Sequence, residues 1–295
     1  MTDPTAALKD HKPTKDILIC IDSDGCVFDT MEVKHKECFI PNIIKHWKLQ
    51  AVSKYARAAA EFVNLYSKWR GINRFPALVM TLDLLADWDK VRERNVALPE
   101  APNLRKWIET ESKLGNPALE AYCQEHGDAD MHRTLAWSQA VNDTVEDLVE
   151  GVPPFPYVRE SLEKAQALAD ILVCSATPYD ALVREWQEHD IEKHAFTIAG
   201  QEQGKKSEHI ALASQGRYDH TKILMIGDAP GDMKAARANN ASFYPINPGH
   251  EDESWRRFHE EALDKFVSGE YQGSYEDGLI QEFDALLPDT PPWKQ

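Results

Sequence analysis

Residues 17–29 read Ile17-Leu-Ile-Cys-Ile-Asp22-Ser-Asp24-Gly25-Cys26-Val-Phe-Asp29. The apolar run at 17–21 is too short for a buried helix and stops abruptly at Asp22, so it predicts a buried parallel strand. The pattern recurs at 171–174, ILVC before Ser175, and at 223–226, ILMI before Gly227-Asp228. Weaker strands are expected at 195–199 and 241–244. Helical stretches at 157–169, 180–189, 207–214 and 232–239 lie between them. Strands alternating with helices predict an α/β fold, a Rossmann-like parallel sheet covered on both faces. Ligands of such sheets bind just past the strand C-termini, where Asp22, Ser175 and Asp228 fall.

Residues 31–150 have a different character. Val52, Tyr55, Ala59, Phe62, Tyr66 and Trp69 recur at helical spacing, with Lys54, Arg57, Glu61 and Lys68 between them, the pattern of a helix with one buried face. Further helices are expected at 76–94, 103–112, 117–126 and 130–149, with no convincing strand. The segment therefore reads as an all-helical insertion after the first strand. The chain leaves it through Gly151-Val-Pro-Pro-Phe-Pro156, a stiff stretch suited to a hinge. The expected domains are a core of 1–30 with 151–250, the insertion at 31–150, and a helical C-terminal extension at 251–295.

The 295 residues carry 49 acidic and 33 basic side chains, a formal net charge of −16, with 42% hydrophobic residues. The apolar content supports real cores and argues against a disordered chain. The acidity counts against a nucleic-acid partner, which a basic face would have to attract. A chain this acidic must gather positive charge locally to handle an anionic substrate. The N-terminal residues lack the apolar core of a signal peptide, and no apolar run approaches the roughly 20 residues of a membrane span. A cytoplasmic chain without a membrane partner is expected. The five cysteines form no CxxC pair, which fits free thiols in a reducing compartment. Nothing in the sequence sets an oligomeric state.

Four segments carry chemistry. Asp22 and Asp24 at a strand end can supply a nucleophile and a general acid/base, although Asp-Gly also signals a plain turn. Ser175, with the backbone N–H groups of the following turn, can contact an anion; it can equally cap the next helix. Lys205 and Lys206 open a helix and can neutralise a phosphoryl group, where a solvated pair is the ordinary alternative. Asp228 and Asp232, at a strand end and the next helix start, offer oxygen ligands suited to Mg²⁺, and Asp232 can also cap that helix.

Taken together and in this order, the four segments resemble the motifs of the haloacid dehalogenase-like (HAD) hydrolase superfamily. Asp22-Ser-Asp24 matches the first motif, with Cys26 where Thr or Val is usual. Ser175 matches the second, the lysine pair the third, and Gly227-Asp228 through Asp232 the fourth. The likeness covers about 16–30 and 151–247, and the insertion resembles a C1-type cap, longer than most. The resemblance implies a phosphatase in which Asp22 accepts the phosphoryl group. Asp24 then protonates the leaving alcohol and afterwards activates water. It implies Mg²⁺ held by the Asp22 carboxylate, the Asp24 carbonyl and Asp228, with Asp232 in or beside that set. Ser175 and a lysine would contact the phosphoryl oxygens. Lys206 fits one form of the third motif and Lys205 another, with Lys206 favoured. Asp24 argues against a dehalogenase or a phosphonate hydrolase. A phosphomutase and a non-catalytic binding protein on the same fold stay open as alternatives.

The expected partner is a small phosphorylated metabolite, chosen by the cap. Ser67-Lys-Trp-Arg70-Gly-Ile-Asn73-Arg74 joins two cap helices. Arg70, Asn73 and Arg74 can bind a second anionic group or hydroxyls of a substrate; a solvated helix end is the alternative. The tryptophans Trp88, Trp107 and Trp137 are expected in the cap core, and Cys20, Cys26 and Cys174 are expected as small buried fillers near the site.

Overall fold

In the computed structural model, which describes residues 3–294, the apolar runs form five strands: β1 (Leu18–Ile21), β2 (Asp170–Cys174), β3 (Thr197–Ala199), β4 (Ile223–Gly227) and β5 (Ser242–Pro245). They make one parallel sheet in the order β3-β2-β1-β4-β5. The central strand is buried along its whole length, because helices cover both faces and leave it no solvated side. Leu18 pairs with Asp170 on one side and with Ile223 on the other.

The chain order reverses at β1, with β2 and β3 to one side and β4 and β5 to the other. Such a reversal opens a crevice beyond the strand ends. The ladder continues one residue past two of those ends: Asp22 N–H donates to Ile226 O at 3.0 Å, and Ser175 N–H donates to Ala199 O at 2.9 Å. Both residues are thus fixed by the sheet and not by a loop. Ile19, Ile21, Ile171, Val173, Leu224 and Ile226 share a core with Trp186, Trp255 and Phe258. Each such side chain contributes about 1.5–3 kcal/mol when fully buried.

The chain divides into two compact units, one of residues up to Met31 with Gly151–Leu286, the other of Glu32–Glu150 with the residues from Leu287 on. The second is helical, with its own core around Trp47, Phe75, Trp107 and Trp137. Its longest helices are Ser53–Asn64, Arg74–Ala86 and Ala129–Leu148. The helix expected at 76–94 begins earlier and ends sooner. Asn73 Oδ1 accepts from Phe75 N–H and caps its start, and only a short turn, Asp89–Arg92, follows its end.

The C-terminal extension does not form a unit of its own. Ser274–Leu286 belongs with the sheet, where Glu276 accepts from Phe243 N–H at 2.8 Å and Tyr271 OH donates to Phe243 O at 2.6 Å. These two side chains satisfy the N–H and C=O of Phe243 on the edge strand β5, which would otherwise be open to pairing. The last residues belong with the helical unit instead. Trp293 stacks on Trp88 with ring centres 3.9 Å apart, and Lys68 pairs with Asp289 at 2.9 Å. Among the described residues, no helix is long and apolar enough to cross a membrane.

Candidate active site

The ends of β1, β2 and β4 and the start of the helix Lys206–Ser214 carry the predicted residues. After β1 the chain folds back on itself: Ser23 O accepts from Val27 N–H at 2.8 Å. Trp186 Nε1 donates to Ser23 Oγ at 3.0 Å, and Trp255 Nε1 donates to Cys26 O at 2.7 Å. Two buried indoles therefore brace the turn that presents Asp22 and Asp24.

After β4, Gly227 is followed by Asp228 and the helix Pro230–Ala238. Asp232 Oδ2 accepts from Ala229 N–H at 3.1 Å, so Asp232 caps its helix as one sequence reading allowed. A Cβ at position 227 would overlap the Asp232 carboxyl. Only glycine there lets that side chain fold back under the strand end.

The carboxylates of Asp22, Asp228 and Asp232 are buried, with oxygens within 4.8 Å of one another. Lys206 Nζ lies 2.6 Å from Asp22 and 2.5 Å from Asp232. Burial pushes the Asp22 carboxyl up, Lys206 draws it down, and Asp232 and Asp228 push it up again; the net direction is well above the ordinary range. Burial opposes the charge on Lys206, but Asp22 and then Asp232 outweigh it and hold the ammonium above its ordinary pKa. Three carboxylates against one ammonium leave an excess of negative charge where water cannot screen it. An all-oxygen set of this kind suits a hard divalent cation such as Mg²⁺. The donor chemistry and the charge excess both fit that ion.

The other expected residues sort themselves by geometry. Lys205 is exposed, and its N–H donates to Glu208 Oε2 at 2.7 Å, closing the first turn of the helix; the ammonium at the carboxylates is that of Lys206. Ser175 is buried, and its Oγ accepts from Thr177 N–H at 3.2 Å, which leaves the hydroxyl proton for another acceptor. Asp24 is half-buried; Thr177 Oγ1 donates to its Oδ2 at 2.6 Å, and Thr30 Oγ1 donates to its Oδ1. Sequence reading passed over both threonines. The only signals were a hydroxyl two residues after Ser175 and another six after Asp24. Burial pushes the Cys26 and Cys174 thiols up, so both are inert fillers.

The three cap-loop side chains each have partners inside the helical unit. Arg70 is buried, with Nη1 donating to Leu65 O at 3.0 Å. Asn73 caps its helix, and its Nδ2 donates to Leu114 O at 3.0 Å. Arg74 Nη1 donates to Ser138 O at 3.2 Å, Ser138 Oγ at 3.0 Å and Asn142 Oδ1 at 2.7 Å, with the guanidinium 4.9 Å from the Phe39 ring centre. Arg74 ties its helix to Ala129–Leu148, Arg70 closes the turn after Ser53–Asn64, and Asn73, though exposed, is held by its cap and by Leu114.

No protein-family model and no curated protein sequence matches the chain. Similar solved structures include a haloacid dehalogenase-like family hydrolase from Streptococcus pneumoniae, 14% identical, with a TM-score of 0.44 over 83% of this chain and 91% of its own. A hydrolase from Pseudomonas syringae is 14% identical, with a TM-score of 0.48 over 88% of this chain and 100% of its own. A HAD-superfamily hydrolase from Geobacter sulfurreducens is 13% identical, with a TM-score of 0.41 over 79% and 90%. The likeness stops at the fold; the chemistry of the site follows from its own residues.

Proposed function

We propose that the protein is a Mg²⁺-dependent phosphoric monoester hydrolase of HAD type that acts on a small phosphorylated metabolite. The observation that carries this reading is Lys206 bridging Asp22 and Asp232 within a buried cluster of carboxylates, beside a hydroxyl-held Asp24. Phosphoryl transfer demands little of a protein beyond positioning and charge neutralisation, which here would fall to Lys206 and a cation held by the acidic cluster. Asp22, Asp228 and Asp232 would hold the metal, which when bound neutralises charge on the transferring group.

Asp22 supplies the attacking oxygen. A bond forms from it to phosphorus as the ester P–O bond breaks, and Asp24 gives its proton to the leaving oxygen. Water then attacks phosphorus, Asp24 takes back a proton, and inorganic phosphate leaves as the bond to Asp22 breaks. Ser175 Oγ and the Lys206 ammonium bind phosphoryl oxygens through both steps, stabilising charge that grows in the transition state.

The test is release of inorganic phosphate from p-nitrophenyl phosphate and from a panel of phosphorylated metabolites. Activity should require Mg²⁺ and stop with EDTA, and Asp22→Asn should lower turnover by about three decades or more. Mg²⁺ should also raise the melting temperature of the wild type by mass action, and do so less for Asp228→Asn. Turnover of Asp22→Asn within tenfold of wild type, or full activity after exhaustive chelation, would remove the reading.

A further inference from the structure

Asp24 is gripped at both carboxylate oxygens, by hydroxyls that arrive from different parts of the chain. Thr30 opens the short helix Thr30–Val33 just after the Asp22–Asp24 turn. Thr177 is 153 residues from Asp24 in sequence and sits in the turn after β2. Thr177 is itself pinned at both backbone groups. Its N–H donates to Ser175 Oγ at 3.2 Å, and its carbonyl accepts from Gln201 N–H at 3.0 Å. A Cβ on Gly200 would lie 2.7 Å from Thr177 O, so glycine at 200 lets the loop after β3 close on this turn. The backbone is thus held without help from the side chain, and the hydroxyl is left to fix the Asp24 carboxylate.

We propose that Thr177 is a positioning residue for Asp24, setting the plane in which that carboxylate meets the leaving oxygen. The inference rests on the phosphate-ester reading above. A carboxylate turns readily about its terminal torsion, yet acid/base work needs an oxygen within hydrogen-bond reach of the leaving group. A misplacement of about 1 Å can cost about a hundredfold. The threonine keeps its own proton throughout: the O–H bond that breaks in the first step is that of Asp24, and the one that forms is on the leaving alcohol.

The experiment compares Thr177→Val, which keeps the shape, with Thr177→Ser, which keeps the hydroxyl, in the Mg²⁺-loaded protein. The probes are p-nitrophenyl phosphate and phenyl phosphate, whose leaving group depends more on a proton donor. The quantity read is kcat/KM, which reports the first phosphoryl transfer. For Thr177→Val it should fall on both esters, and about tenfold further on phenyl phosphate; Thr177→Ser should recover most of the loss. Crystal structures of the wild type and Thr177→Val provide a readout independent of turnover, in which the Asp24 carboxylate should leave its wild-type orientation. Equal losses on the two esters, no loss on either, or an unmoved carboxylate would each overturn the proposal. A wild type that cleaves neither ester would sink the phosphatase reading, while the orientation of Asp24 would still decide whether Thr177 holds it.

Discussion

Lys206 and Arg74 show how one kind of charge takes opposite roles in the two units. The ammonium of Lys206 faces two carboxylates within a buried cluster. The guanidinium of Arg74 faces a carbonyl, a hydroxyl and an amide oxygen, with an aromatic ring beneath it. Burial pulls the pKa of Arg74 down to about 10, which still leaves it charged at neutral pH. Removing the guanidinium takes a donor from the buried Ser138, whereas the exposed Asn142 can turn to water. Arg74→Met should therefore lower stability by about 1–3 kcal/mol, the cost of unpaired buried polar groups. Urea denaturation checks this. A loss of activity without a loss of stability would return Arg74 to substrate recognition.

At the scale of elements, the base of the sheet depends on one carboxylate. Asp170 begins β2, and its oxygens accept from Thr14 N–H at 2.9 Å, Thr14 Oγ1 at 2.5 Å, Lys15 N–H at 3.2 Å and Tyr218 OH at 2.8 Å. It thereby ties the segment entering β1 and the segment entering β4 to the start of β2. Burial would raise the Asp170 carboxyl, but these donors prevail and hold it below the ordinary range. A lowered folded-state pKa means that this stability is present above the unfolded value of about 3.9 and is lost as pH falls through the folded value. Asp170→Asn should accordingly cost about 1–3 kcal/mol at neutral pH, and the gap to wild type should close on acidification. Denaturation curves at a series of pH values between about 5 and 2, the range of carboxylate titration, measure that gap, and one that widened toward acid across that range would contradict the assignment.

Across the whole molecule, the chain passes between its two units three times, after Met31, before Gly151 and after Leu286. The third passage brings Trp293 against Trp88 and Phe62. Trp293→Ala should destabilise the helical unit by about 1–3 kcal/mol, given the large area and stacking that an indole contributes. Hydrogen exchange should quicken in Ser53–Asn64 and Arg74–Ala86 and not in β1; equal quickening in β1 would refute a local role. The three central strands were legible in the sequence because each is a short apolar run that stops at Asp22, Ser175 or Gly227-Asp228, and a strand buried on both faces needs little more than that. The candidate site was legible for the same reason, since its groups sit at the cut-off points and the parallel sheet aligns those ends. What the sequence could not settle were matters of contact between distant residues. The motif forms favoured Lys206 but left Lys205 open, and it took the geometry of a helix start against two strand ends to show which ammonium meets the carboxylates. The hold of Thr177 on Asp24 spans loops that are adjacent only because β2 lies next to β1. Arg70 and Arg74 read as free charges in sequence, and only tertiary packing turned them into internal ties, because a side chain's partners depend on which helices close around it. The tail divides between the units for a related reason: helical periodicity marks which face is apolar, but not which core will bury it.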